Sequence, residues 1–322
     1  MRIAEKYKSF DSVRRSFVEE SKKNSFFNSL WHAFTLAKLQ KELKCNKNEY
    51  FYYGLYNMNK SEREKYAMEN GFERDYVLQW NSRECMAITA NKPGFNKLFP
   101  EYIRRDWIYM PDASFEKFEE FALKHKVCIE KPDDGQSGRG VCKREFPAKE
   151  ELPALYERLK DCGLLFEELL HQDKALALLN PDSVNTIRII TLRRDEKPEI
   201  IMAGLRIGRK GSCADNFGAG GICGKIDFKS GVVTSPAVSK MNKRYSHHPD
   251  TGVSIVGFKI PMWEDLKKTA IECASKMPNN LLGWDLSVNE KKQVVIIEAN
   301  SAPDIMFMQL VEEHGFAETL TK

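Results

Sequence analysis

Residues 283–303 read Gly283-Trp-Asp-Leu-Ser-Val-Asn-Glu-Lys-Lys-Gln-Val-Val-Ile-Ile-Glu-Ala-Asn-Ser-Ala-Pro303. Two strand-like runs flank the polar tetrapeptide Asn289 to Lys292, which is the pattern of a β-hairpin. If those four residues form the turn, Val288 faces Gln293 and Asp285 faces Ile296. Alternation along the strands then places Asp285, Glu298 and Asn300 on one sheet face. Diagonal neighbours across such a pair lie about 7–8 Å apart, close enough for two carboxylates to hold one or two hard cations between their oxygens. Glu298 follows the apolar run Val294 to Ile297, where a lone charge is expensive, so it needs a partner: a metal ion, Arg188 or Arg206. The inference depends on the turn length, because a slip of one residue sends every side chain to the other face.

Upstream, residues 129–141 read Ile129-Glu-Lys-Pro-Asp-Asp-Gly-Gln-Ser-Gly-Arg-Gly-Val141. Gly135 to Gly140 has the G-x-x-x-x-G spacing, but Val141 and Cys142 stand where a Walker loop needs Lys and Ser or Thr. The following segment is strand-like, which also excludes the dinucleotide fingerprint. What remains is strand, glycine loop, strand, with Lys131 on the incoming strand. Such a flap can wrap phosphate oxygens with its N–H groups while the lysine supplies a point charge. It can equally be an exposed hairpin turn with a solvated lysine. Asp133 and Asp134 read as turn formers.

The surrounding composition is that of a globular chain of 322 residues, 42% hydrophobic and 30% charged. There is no apolar run of membrane-spanning length and no secretory h-region in MRIAEKYKSF, so a cytoplasmic protein is expected. The eight cysteines, without C-x-x-C pairs, read as reduced core thiols. Net charge is +4, and residues 1–50 carry eleven Lys or Arg against six Asp or Glu. That distribution argues against a nucleic-acid protein, whose basic stripe lies on its folded binding face. The basic N-terminal helices are a solvated face or a peripheral contact with an anionic membrane surface or an acidic partner.

Apolar spacing predicts helices from Asp11 to Leu43, over Lys60–Asn70 (capped by Asn59 or Ser61 and stopped at Gly71), near Phe95–Arg105 and over Ser114–His125. Strands follow at 127–129, 141–143, 164–167, 185–192, 199–207, 224–228, 283–288 and 294–298, with helices over Lys149–Leu159, Trp263–Lys276 and Ile305–His314. The expected organisation is an α-rich region (1–85), a linker carrying a lysine segment (86–126), an α+β subdomain with the glycine flap (127–170) and a second with the carboxylate face (171–322).

Together these pieces resemble the ATP-grasp superfamily, an α+β fold in which two subdomains clamp ATP, here preceded by the α-rich region. The tail GWDLSV…VVIIEANSAPDI is similar to that family's metal signature, which implies that Asp285, Glu298 and Asn300 ligate one or two Mg2+ ions. NKPGFNKLF at 91–99 resembles its first lysine element, with Lys92 favoured over Lys97 and Asn91 in place of Asp. IEKPDDGQSGRGV resembles the second lysine and flap, giving Lys131 the phosphate role and Gly135, Ser137, Gly138 and Gly140 the cradle. LLFEELLHQD looks like the hinge, with Glu167, the Glu168 backbone and Leu170 at the adenine edge and Asp173 at the ribose.

The segments NPDSVNTIRIITL, GLRIGRKGSCADNFGAGGICGKID and NEYFYYGLYNMNKSEREKY most resemble the sugar-transfer-associated ATP-grasp family. In that resemblance Arg188 and Arg206 offer guanidinium forks to the γ-phosphate or a carboxylate. Asp215, Asn216 and the glycines of 218–221 cover the acceptor side. Asp304 stands where amino-acid ligases of the superfamily often have a small residue, and the α-rich region replaces their usual β-α-β domain.

The implied chemistry is attack of a carboxylate on the γ-phosphate of ATP, giving an acyl phosphate that an amine captures. The expected reaction joins an amino acid or amino sugar to a carboxylate such as a uronic acid in surface polysaccharide biosynthesis. A kinase of a small hydroxylated substrate and a non-catalytic ATP-binding partner of glycosyltransferases are the alternatives.

Overall fold

The computed structural model describes residues 10, 11, 14, 26–133, 140–212, 215, 217 and 220–321. Gly135, Ser137, Gly138 and Asn216 lie outside them. The described strands fall into two sheets, antiparallel throughout.

The smaller sheet has the order β1-β4-β2-β3, from β1 (Trp107–Tyr109), β2 (Val127–Pro132), β3 (Cys142–Glu145) and β4 (Leu164–Glu168). Its core is made by two helices. In Phe115–Lys124 the buried residues Phe118, Phe121 and Ala122 recur at i, i+3 and i+4, and in Leu152–Leu159 they are Leu152, Leu155 and Leu159. Both stripes close on Cys128 and Phe166 of the sheet. Ser114 caps the first helix by accepting the Lys117 N–H at 3.4 Å.

The larger sheet has the order β11-β10-β5-β6-β7-β8-β9. Its strands are β5 (Thr186–Arg193), β6 (Pro198–Ile207), β7 (Ile222–Lys225), β8 (Ala237–Ser239), β9 (Arg244–Tyr245), β10 (Leu281–Val288) and β11 (Val294–Asn300). Its central strands are apolar on both faces, as a sheet covered on both sides requires. Ile187, Ile189, Leu282 and Trp284 pack with Leu266, Ala270, Cys273 and Ala274 of the helix Trp263–Lys276. On the opposite face Ile190, Leu192, Met202 and Leu281 share a core with Leu39, Tyr50, Phe51 and Leu55 of the α-rich region and with Phe307 and Leu310 of the helix Met306–Glu312.

The α-rich region therefore has no separate core; it covers one end of a sheet face. Two buried amides fasten it there. Asn81 donates to the carbonyls of Leu281 (2.7 Å) and Ser301 (2.8 Å) and accepts the N–H of Asn280 (2.9 Å) and Leu281 (3.1 Å). Gln309 accepts the N–H of Ala67 at 2.9 Å and that of Phe316 at 3.2 Å, and donates to the Ala67 carbonyl and the Tyr53 hydroxyl, both at 2.9 Å. A Cβ on Gly315 would meet the Lys65 carbonyl oxygen at 2.0 Å, so only glycine admits this approach.

Several local expectations change. The helix from Lys60 ends at Glu64, with Asn59 rather than Ser61 as its cap: the Asn59 side chain takes the Glu62 N–H at 3.0 Å and the Glu62 carboxylate takes the Asn59 N–H at 2.7 Å. Residues 149–151 form a 3-10 turn ahead of the helix Leu152–Leu159. Strands β1, β8 and β9 are only two or three residues long, too short to show periodicity. Cys142 and Cys162 are exposed rather than in the core. Burial pushes the thiols of Cys45, Cys128, Cys223 and Cys273 up to about 12, which makes them poor nucleophiles.

The hairpin β10/β11 reaches the expected face by a different route. Val288 pairs with Val294, not Gln293, because the turn spans five residues, with Lys292 at φ 58° and the Asn289 side chain accepting the Gln293 N–H at 2.9 Å. Alone, that shift would have turned Glu298 away from Asp285. A bulge at Ile297 restores the face, so Asp285 lies directly opposite Glu298 and Gly283 opposite Asn300, instead of Asp285 opposite Ile296.

Candidate active site

Beyond the area covered by the α-rich region, the same face of the large sheet becomes polar. Arg188 pairs with Asp285 in the strand register and grips it with both ends of its fork, Nε to Oδ1 at 2.6 Å and Nη2 to Oδ2 at 2.9 Å. Arg206, one strand further, donates to Asp285 Oδ2 at 2.9 Å and reaches Asp215 Oδ1 at 3.3 Å. Asp215 in turn accepts the Thr186 N–H at 2.8 Å and the Thr186 hydroxyl. All four charged side chains are buried.

Asp285 thus takes both arginines, and Glu298 is left beside it. Glu298 sits directly opposite Asp285 in the strand register, and Asn300 donates to Glu298 Oε1 at 3.2 Å. Burial raises the pKa of Asp285, but Arg188 and Arg206 outweigh it and hold this carboxyl well below its usual range. Burial, then the Asp285 charge, push Glu298 above its usual range. Such a pair favours a proton or a cation between its oxygens. The Asp285 and Glu298 carboxylates and the Asn300 side-chain oxygen are the hard donors that suit Mg2+, so the chemistry of this set fits that ion.

The small sheet contributes a second charged cluster. Glu167 on β4 accepts from Arg105 twice at 3.0 Å, from Asn96 at 3.1 Å and from Lys131 Nζ at 2.5 Å. Burial works against its ionisation, yet Arg105 and Lys131 keep the carboxyl well below its ordinary value. Arg105 also donates to the Ile296 carbonyl at 2.8 Å, which ties this cluster to β11 of the other sheet. Lys92, at the start of the helix Lys92–Leu98, donates to the carbonyls of Pro132 (2.8 Å) and Asp133 (3.0 Å) just before the glycine loop. Asn91 caps that helix through the Gly94 N–H at 3.0 Å.

A cavity of about 510 Å³ opens between the two sheets. Among the described residues, Lys92, Lys131, Glu167, Glu298 and Asn300 are the sequence-predicted site residues that line it. Part of its remaining wall is the helix Arg83–Ala90, which contributes Arg83, Met86 and Thr89. Asp285, Arg188, Arg206 and Asp215 stand behind Glu298 as its support.

Other expected positions are engaged elsewhere. Lys97 pairs with Asp112 at 3.4 Å on the surface. Asp173 caps the helix Lys174–Leu179 through the Ala175 N–H at 2.9 Å and pairs with Lys292. Glu168 accepts the Asp106 N–H at 3.0 Å, and Leu170 is half-buried. Asp304 is exposed and accepts the Met306 N–H at 2.8 Å. Gly140, with φ 76°, closes the loop so tightly that a Cβ there would lie 2.7 Å from Pro132 Cγ. Asp133, read as a turn former, also accepts the Tyr109 hydroxyl at 2.6 Å.

Sequence reasoning missed Arg105, Asn96 and the Arg83–Ala90 wall. Arg105 follows Arg104 in the run YIRRDW, and nothing local distinguishes the arginine that becomes buried.

A family model described as sugar-transfer associated ATP-grasp matches residues 71–322. Among solved structures, the ATP-grasp ligase PsnB, complexed with a phosphomimetic variant of its minimal precursor, Mg and ADP, is similar at 16% identity and TM-score 0.45, with 75% of this chain and 59% of that one covered. A RiPP-associated ATP-grasp ligase of Chryseobacterium gregarium, with ADP and a leader and core peptide, gives 13% and 0.46, covering 75% and 61%. D-alanyl-alanine synthetase A from Vibrio cholerae O1 gives 13% and 0.45, covering 74% and 65%. The chain thus spans less than two-thirds of the length of each of these three. No curated protein matches the sequence.

Proposed function

Since the chain belongs to the sugar-transfer-associated ATP-grasp family, we propose that it is an ATP- and Mg2+-dependent carboxylate–amine ligase acting through an acyl phosphate. The observation that carries this reading is one cavity lined by both sets of groups: Glu298, which faces Asp285 across β10 and β11, together with Asn300, Lys92 and Lys131.

In this reading Lys131 and Lys92 take the α- and β-phosphate oxygens, and the loop containing Gly135, Ser137, Gly138 and Gly140 folds over them with its N–H groups. Glu167, already holding four donated bonds, positions Lys131 rather than meeting the adenine edge; that edge is left to the Glu168 backbone and Leu170. Asp285, Glu298 and Asn300 would hold one or two Mg2+ ions, which would supply positive charge to neutralise the phosphates. Arg188 and Arg206 lock the Asp285 carboxylate in place, and any substrate contact they make requires them to share that hold.

A substrate carboxylate oxygen attacks the γ-phosphorus, the bond to the β-phosphate oxygen breaks, and ADP leaves. The amine then attacks the acyl carbon, phosphate departs and the amine proton passes to solvent. The chain's own contribution is placement and charge, so no covalent nucleophile is needed. The family's description supports a sugar-linked substrate: an amino acid or amino sugar joined to a uronic acid or similar carboxylate of a surface polysaccharide. Asp215, Asn216 and Asp304 are then on the acceptor side.

The test is ADP release with uronates and amino acids, using hydroxylamine as the trapping amine. A hydroxamate is expected with one of them. Its absence with all of them would count against the ligase, and a stable phosphorylated product would select the kinase.

A further inference from the structure

The helix Phe26–Leu43 carries large side chains on two opposite sides, one buried and one solvent-exposed. Ser29, His32, Leu36 and Leu39, at i, i+3, i+7 and i+10, are buried against the α-rich core, with His32 accepting or donating at 2.8 Å to the Tyr50 hydroxyl. Half a turn away lie Phe27, Trp31, Phe34, Lys38 and Lys41, at i, i+4, i+7, i+11 and i+14, with Leu30 beside them. Trp31 is 51% exposed, Phe34 68% and Leu30 41%. Large side chains clustered on the exposed side of one helix, rather than scattered singly over the surface, mark an interaction face.

We propose that this face lies on an anionic lipid surface and brings the enzyme to the membrane interface. The strip is mixed along its length: Leu30, Trp31 and Phe34 at one end, Lys38 and Lys41 at the other, all solvent-exposed. That mixture complements a surface that is apolar just below a layer of negative charge, where Trp and Phe sit at headgroup depth and lysines reach the headgroups. Lys38 lies 3.8 Å from Glu42, but both are exposed, and such a pair holds little in water. The segment's excess of eleven basic over six acidic residues in 1–50 adds attraction of the same sign. A second copy of the chain fits less well, because it would bring two segments of the same net positive charge together. No helix among the described residues is long and apolar enough to cross a membrane, so the contact is peripheral.

The experiment is co-sedimentation of the full chain with phosphatidylcholine vesicles with and without phosphatidylglycerol. Binding is expected to the anionic vesicles, to fall at least about tenfold in the double variant W31E/F34E, and to weaken as salt rises from about 0.1 M to about 1 M, where screening shortens from about 10 Å to about 3 Å. K38Q/K41Q should lose binding without changing ATP turnover. Thermal unfolding of W31E/F34E shows whether it is folded, and if it is not, the lysine variant decides alone. Absence of vesicle binding, equal binding to neutral vesicles, or anionic binding that survives W31E/F34E would each overturn the proposal. A concentration-dependent dimer broken by W31E/F34E, with no vesicle binding, would assign the face to a second copy instead.

Discussion

The two charged clusters that face each other across the cavity are built from the same side chains in opposite proportion. On the small sheet one carboxylate, Glu167, is met by Arg105 and Lys131, with Lys92 nearby. On the large sheet three carboxyls, Asp285, Glu298 and Asp215, are met by two guanidinium groups, Arg188 and Arg206. The first wall has positive charge left over and the second has a carboxyl left over. A buried excess of charge is expensive until a ligand of the other sign neutralises it. The small-sheet wall therefore favours phosphate and the large-sheet wall favours a cation. The raised pKa of Glu298 and the depressed one of Glu167 express the same difference.

The sharpest way to break this contrast is to neutralise one wall. Glu298→Gln should lower turnover by at least about 10²- to 10³-fold, the usual loss when one preorganised charged group is removed. It should cost less stability than Asp285→Asn, since both arginines hold Asp285 rather than Glu298. ADP release and thermal unfolding on one preparation check both halves; full activity would sink the metal assignment. Asp285→Asn should also abolish turnover, and in addition destabilise the fold by about 3–5 kcal/mol, because it leaves Arg188 and Arg206 buried without their shared carboxylate. If the two variants lost equal stability, the distinction between ligand-facing and supporting carboxyl would be wrong.

Glu167→Gln sharpens the comparison through pH. The folded-state pKa of Glu167 is depressed, so its contribution to stability is fully present above the unfolded value of about 4.3. That contribution is lost as pH falls from there toward the folded value. Denaturant titrations at neutral pH and in that acid range should show wild type losing its advantage over Glu167→Gln as the pH drops. A constant gap would mean that Glu167 is not held ionised by Arg105 and Lys131. The smallest effect is expected outside the walls. Gln309→Ala should cost about 1–3 kcal/mol by leaving the Ala67 backbone groups unpaired in the interior, with ATP affinity measured by calorimetry nearly unchanged; a large loss of affinity would make the docking of the α-rich region part of the site.

Much of this was readable before any coordinates. The helix Trp263–Lys276 and the paired strands around Asp285 and Glu298 follow from periodicities of 3.6 and 2, which are local properties of the chain. The two strands on either side of the glycine-rich stretch, β2 and β3, read in the same way. Other features were not readable because they depend on residues far apart. The Asn289–Gln293 turn and the bulge at Ile297 each shift the register by one, and only together do they leave Glu298 facing Asp285. Had one occurred alone, the same sequence pattern would have pointed to the wrong face.

What the sequence determined by itself, then, is the set of parts: a helical head, a lysine before a glycine loop, and a hairpin carrying two carboxylates and an amide. Tertiary structure decided their pairing. It brought Arg105 to Glu167 across 62 positions and Arg188 to Asp285 across 97, put Lys92 rather than Lys97 on the cavity wall, and merged the head's core with that of the large sheet. The physical reason is that helix and strand patterns are set by neighbouring residues. Which buried charge meets which is settled only when packing brings distant segments into one low-dielectric space, where every charge must find a partner.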